Sequence, residues 1–246
     1  MKNFIAQSAT AKKILNIANM ASSLPVNVLI VGEVGVGKKI LANEIAANAE
    51  VFEAKFLEHS ILNKTINLDS FKELIITNLD LVINKKEFME YLDGIKIIAT
   101  SHLFLEDLEH CFAIKIDIPP LESRPEDLQA LKQIHYEKAN EIFKSQISLD
   151  TLEVDLSKNG LSLKQSIYKN LFVESLNDED IQKALQSYFE KKLQTGADFK
   201  ALTEVFEIPL LHAAKNIFGS QLQMANNLQI NRMTLRKKIE NYNLGY

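Results

Sequence analysis

The segment Gly32-Glu33-Val34-Gly35-Val36-Gly37-Lys38 has the residue types and spacing of a phosphate cradle, G-x-x-x-x-G-K. Glycines let a backbone wrap an anion. Successive N–H groups then point inward, and the helix that follows adds positive potential at its N-terminus. Lys38 reaches toward the outer phosphates. The next residue, Lys39, stands where such loops usually place the Ser or Thr that holds magnesium. An ammonium cannot ligate a cation, so any magnesium is left to water and phosphate oxygens. The candidate nucleotide-binding residues are Gly32, Glu33, Val34, Gly35, Val36, Gly37, Lys38 and Lys39. A loop that kept its turn after losing its ligand would read the same way.

A second cluster closes the chain, GSQLQMANNLQINRMTLRKKIENYNL from Gly219 to Leu244. Ala225, Leu228, Ile230, Leu235 and Ile239 recur at helical intervals and form one packing side. Asn231 can cap a new helix. That helix opens with Arg232, Met233, Thr234, Leu235, Arg236, Lys237 and Lys238, so cations and a hydroxyl gather at the end that would enter a major groove. The candidate DNA-binding residues are Ser220, Gln221, Asn231, Arg232, Thr234, Arg236 and Lys237. Ser220 and Gln221 start the preceding short helix, where amides can hold a backbone phosphate. The alternative is a solvated basic face.

Elements must position both clusters. Residues 11–21 read as a helix. Val26–Val31 is an apolar run of strand length, suited to a strand buried on both faces. A helix is predicted over Lys39–Ala49. Further strands are predicted at Lys55–His59, Leu74–Thr77, Ile95–Thr100 and Ile114–Ile118, with helical patterns at Lys86–Leu92 and Glu106–Cys111. Such alternation implies an α/β fold with a mostly parallel sheet. Pro119-Pro120 closes the sheet region. Pro125, followed by Glu126 and Asp127, suits a helix start. The pattern then stays helical to about Leu193, with breaks near Ser148–Gly160 and Asn177–Asp180. Thr195–Asp198 reads as a linker, and a helix follows over Leu202–Phe218.

The 246 residues carry a formal charge of −4, but the charge is uneven. Residues 207–246 hold five Lys/Arg and two Asp/Glu, a net +3, which leaves −7 on the rest. Positive charge gathered at one end of an acidic chain is the footprint expected of a DNA-binding module. Cys111 is the only cysteine, which rules out an internal disulfide and fits a reducing compartment. No secretory signal or long apolar run is read, so a soluble cytoplasmic protein without membrane contact is expected. The five histidines (His59, His102, His110, His135 and His212) show no metal-ligand spacing and are assigned to packing or surface.

With the phosphate loop, the segment IPPLESRPEDL (Ile118–Leu128) and the C-terminal unit in view, the chain resembles bacterial enhancer-binding activators that work with sigma-54. Ile5-Ala6-Gln7-Ser8 and GEVGVGK look like the start of their AAA+ module. That likeness implies three segments: 1–125, an AAA+ P-loop α/β subdomain; 126–196, a helical lid; and 197–246, an all-α Fis-type helix-turn-helix domain. It implies ATP or ADP as ligand, and it implies that Lys164, aligned with the second sensor arginine, reaches a phosphate. In such a module the long helix before the hairpin pairs with its twin. Pro209, Leu210, Leu211, Ala214, Ile217 and Phe218 would be its apolar side and would make a homodimer on double-stranded DNA. Packing within one chain is the alternative. The loop begins near residue 32, so no receiver domain is expected ahead of it.

The departures from the family are specific. Nothing like the GAFTGA loop that engages the sigma factor lies between the second and third strands. Thr77 and Asn78 stand where the family has Asp-Glu, with Asp80 two or three residues further on. Ser101 stands at the sensor asparagine, and Leu105 and Cys111 stand at the two finger arginines. Phosphoryl transfer needs metal, an oriented water and cationic charge, so slow or absent hydrolysis is expected. No catalytic or metal-ligating residue is assigned, magnesium is left open, and no polymerase contact is assigned. The leading expectation is a sequence-specific transcriptional regulator on a degenerate AAA+ platform. An active ATPase activator and an architectural DNA-binding protein are the alternatives.

Overall fold

The computed structural model of the chain describes residues 3–245. Residues 1, 2 and 246, at the outer ends of the expected first and third segments, lie outside these. Two compact units result, one running to Ser175 and the other beginning at Leu176.

The first unit holds a five-stranded parallel sheet of β1 (Val28–Val31), β2 (Glu50–Glu53), β3 (Glu73–Thr77), β4 (Lys96–Ser101) and β5 (Ile114–Asp117). The strand order is β2-β3-β4-β1-β5. β1 lies inside the sheet, in register with β4 (Val28 opposite Ile98) and β5 (Val28 opposite Ile114). All four β1 residues are buried, because side chains alternate between two covered faces. Val28 and Ile30 pack with Ala11, Ile14 and Ala18 of α1 (Ala9–Ser22) and Leu41 and Ile45 of α2 (Lys38–Ile45). Leu29 and Val31 pack with Leu57 of α3 (Ala54–Leu62) and Phe88 of α4 (Lys85–Tyr91).

The expected strand at Lys55–His59 is instead the body of α3, and the strand before it is β2. Ala54, Leu57 and Ser60 are buried at intervals of three, a helical face, and the Glu53 carboxylate caps α3 by accepting from the Phe56 N–H. The helix expected to reach Ala49 stops at Ile45. Glu106–Cys111 forms a 3-10 segment rather than an α-helix.

Two longer helices, α5 (Pro125–Phe143) and α6 (Asn159–Ser175), complete this unit around Leu121, Ala139, Leu163, Ile167 and Leu171. The second unit contains α7 (Asp178–Gln194), α8 (Phe199–Phe218), α9 (Gln221–Asn227) and α10 (Arg232–Asn241). The sequence reading assigns α7 to the lid; in the structure it groups with the C-terminal helices. No α7 residue is fully buried, so packing does not commit it to the α5–α6 cluster. Leu211 and Ala214 of α8, Met224 and Ala225 of α9, and Leu235 and Ile239 of α10 form this unit's own core. No helix among the described residues is long and apolar enough to cross a membrane.

Candidate functional site

The loop after β1 turns sharply before α2, and other segments hold it in place. Gly35 has φ +81°, a conformation L side chains rarely adopt, and a Cβ there would stand 2.0 Å from the Lys158 carbonyl oxygen. The Gly35 carbonyl accepts from the Gly160 N–H at 3.1 Å. Asn159, buried at the start of α6, donates its amide to Glu33 Oε2 and the Val34 carbonyl, each at 3.0 Å, and its Oδ1 accepts from the Leu121 N–H at 2.6 Å. From the other side, Arg124 Nη2 donates to the Val36 carbonyl at 3.2 Å. Asp127, fully buried, accepts from the N–H groups of Gln7 and Ser8 and from the Ser8 hydroxyl. The segment IPPLESRPEDL therefore ties residues 7 and 8, the phosphate loop and α5 together.

Lys38 is buried, and its Nζ donates to the carbonyls of Gly32 at 2.5 Å and Glu33 at 2.8 Å. Burial pulls its ammonium below the usual lysine range, while the charges of Asp80 and Glu33 oppose that pull. A phosphate would compete with those two carbonyls for Nζ.

A cavity of about 560 Å³ opens beside the loop. It is lined by loop residues 34–39, by Thr77, Asn78, Thr100 and His102 at the strand ends, by Arg124 just before α5, by His135 of α5 and by Leu161 and Lys164 of α6. It thus brings together Val34, Gly35, Val36, Gly37, Lys38, Lys39 and Lys164 of the candidate set. Gly32 and Glu33 are not among its lining residues; Gly32 is buried behind the loop and Glu33 is bonded to Asn159.

Asp80 is engaged by His102. Its Oδ1 accepts from the His102 N–H at 3.1 Å, and its Oδ2 lies 3.0 Å from His102 Nδ1. Burial works against the Asp80 charge, yet the hydrogen bonds from His102 keep its carboxyl below the ordinary range. Leu105 is buried and Cys111 partly buried in the core of the second sheet face, so both positions serve packing.

Sequence reasoning sets all histidines aside, yet His102 and His135 line the cavity. His135 is buried, and its Nδ1 has no hydrogen-bond partner. Burial first, then the nearby charges of Lys164 and Lys138, pushes its imidazole down to about 4. Asn159 also escapes a motif search, and Arg124 and Asp127 lie in the IPPLESRPEDL segment without being assigned a role from the sequence. Asn159 left a trace, since the helix break near Gly160 needs a residue that tolerates a left-handed backbone, and its φ is +50°.

In the second unit, Ser220 caps α9 by accepting from the Gln223 N–H, and Asn231 caps α10 by accepting from the Met233 N–H at 2.8 Å. Leu235 and Ile239 are buried, while Arg232, Thr234, Arg236 and Lys237 are exposed. Gln221, Arg232 and Arg236 line one shallow depression. Arg236 Nε donates to Glu240 at 2.8 Å along the exposed face. Lys238 belongs to the scaffold instead. Its Nζ bonds both oxygens of Glu207 at 2.6 and 2.7 Å, and the Tyr242 hydroxyl donates to the same carboxylate. Those bonds hold Glu207 below the usual carboxylate range and push Tyr242 up to about 12.

A five-stranded parallel sheet with a phosphate loop after its inner strand and a helical pair beside it defines the AAA+ P-loop fold. Solved structures agree. NtrX from Brucella abortus in complex with ADP matches all of this chain and 70% of its own at a TM-score of 0.60 and 16% identity. Its complex with ATP matches over the same shares at 0.58 and 16%. A RuvB mutant from Thermotoga maritima matches 96% of this chain and 87% of its own at 0.51 and 18%. The family described as the sigma-54 interaction domain is matched over residues 4–69. No curated protein sequence matches.

Proposed function

We propose that this chain is a DNA-binding transcriptional regulator of the sigma-54 activator type, with an AAA+ unit that binds ATP or ADP and hydrolyses it slowly or not at all. The observation that carries the reading is the division of labour along α10. Its apolar side closes a core with α8 and α9, Lys238 is spent on Glu207, and Arg232, Thr234, Arg236 and Lys237 remain on the outside. A short capped helix with cations and a hydroxyl on its outer face, preceded by a second capped helix, suits a helix-turn-helix of Fis type. Arginine pairs with guanine edges or phosphates, and threonine can meet a thymine methyl. Ser220, Gln221 and Asn231 sit at the two helix starts, where backbone N–H groups favour phosphate.

Nucleotide binding is supported by the loop geometry and by the cations around the cavity. Weak hydrolysis is supported by Thr77 and Asn78 at the strand end and by the engagement of Asp80 with His102.

The test is DNA affinity against salt. Arg236→Ala removes an exposed side chain and leaves the core intact. Binding should weaken, and the slope of log K against log salt should fall by about one if the contact is to phosphate. A full-length chain that ignores duplexes of every sequence at low ionic strength refutes the reading. Equal affinity for random and selected duplexes would favour an architectural role.

A further inference from the structure

We propose that this chain holds a nucleotide's phosphates with its own cations and needs no divalent metal to do so. The inference rests on the nucleotide reading of the cavity beside the phosphate loop. Among the described residues that line this cavity there is no Asp or Glu, whereas Lys38, Lys39, Arg124 and Lys164 all line it.

Magnesium in a P-loop site takes oxygen ligands from a loop Ser or Thr and a carboxylate at the end of a neighbouring strand. Lys39 occupies the first position, and Thr77 and Asn78 occupy the second. The carboxylates whose charges reach Lys38 do not line the cavity: Asp80 accepts from His102 through both oxygens, and Glu33 accepts from Asn159 through Oε2. No group of three or more His, Cys, Asp or Glu side chains capable of holding a metal occurs among the described residues. The residues present do not fit the ion.

Charge balance points the same way. A site lined by acids repels a polyphosphate until a divalent ion bridges the two. A site lined by ammonium groups attracts the metal-free polyphosphate more strongly than the metal-bound form, whose charge is lower by two. Lys39 is exposed at the cavity and free to meet oxygens, Lys164 is exposed with its ammonium over the Tyr168 ring, and Arg124 is committed to Val36 and Asp127. Lys39 thus takes over, as a fixed cation, the place a metal-holding hydroxyl would have.

The experiment is a titration of the full chain with a fluorescent ATP analogue at constant ionic strength, once in magnesium chloride and once in EDTA. The expected result is a Kd in EDTA within about threefold of that in magnesium, or tighter. Lys39→Ala, an exposed substitution that leaves the loop's hydrogen bonds in place, should weaken binding by about tenfold in both buffers. Binding lost or weakened by tenfold or more in EDTA overturns the inference while leaving the nucleotide reading intact. Unchanged affinity in Lys39→Ala overturns the role given to that ammonium. No binding in either buffer defeats the nucleotide reading itself, so the two failures are distinguishable.

Discussion

Asn159 illustrates how single residues set this site. Its amide satisfies three partners at once, and its left-handed backbone is one that asparagine tolerates better than alanine. Asn159→Ala leaves the Leu121 N–H without a partner, at a cost of about 1–3 kcal/mol for a stranded buried group. Urea unfolding should show a loss in that range or above it, together with weaker nucleotide binding, because the loop loses its brace. His135 gives a pH signature. Its folded pKa of about 4 lies below the ordinary 6.5, so the unfolded chain takes up the proton first. Stability from this group is complete above pH 6.5 and falls as pH drops toward 4, by up to about 3 kcal/mol. Comparing urea midpoints at pH 7 and pH 5 checks it. His135→Phe should lose less stability than the parent over that interval, and an equal loss would remove His135 from the account.

At the scale of elements, legibility followed burial. β1, β3 and β4 are covered on both faces, and their apolar runs announced them. β2 sits at the sheet edge and is half exposed, so Glu50-Val51-Phe52-Glu53 carries no such run, and the apolar residues of α3 mimic a strand in its place. The phosphate loop was readable because its conformation demands glycine at fixed offsets. The braces on it were not, because Asn159 and Arg124 reach it from distant parts of the chain, with Asp127 behind Arg124. The apolar side expected of α8 divides in the structure. Leu211 and Ala214 turn into their own unit's core, whereas Leu210 and Ile217 join Phe199 and Phe206 outside. Phe199, Thr203, Phe206, Leu210, Ala213 and Ile217 follow alternating steps of four and three, the spacing of a coiled-coil seam. Phe199 is 85% exposed and Ile217 73%, which an isolated helix in water does not favour. If α8 pairs with its twin along that seam, Phe206→Glu with Leu210→Glu should turn a dimer into a monomer in sedimentation and weaken binding to a two-fold symmetric duplex. A parent chain already monomeric at micromolar concentration would dismiss the seam.

Across the whole molecule, charge and chemistry divide between the two ends. Residues 207–246 carry +3 and the rest −7, so the proposed affinity for DNA would have to come from a local patch and not from net charge. The phosphate loop has its glycines and Lys38, but on the proposed reading the positions expected to orient a water and neutralise the developing charge hold other groups: Thr77 and Asn78 at the strand end, Ser101 buried and bonded to the Leu103 carbonyl, Leu105 and Cys111 within a core. Each such support is worth orders of magnitude in rate, and losses of this kind compound. Phosphate release by the full chain in saturating ATP and magnesium should therefore stay at the buffer background, and Lys38→Ala should leave that background unchanged while reducing nucleotide binding. Turnover above background that vanishes in Lys38→Ala would mean that other groups, with Asp80 and His102 the nearest, have taken over the work of the missing carboxylates. The molecule would then be a motor and not a platform, while the proposed DNA contact through α10 would be left to its own test.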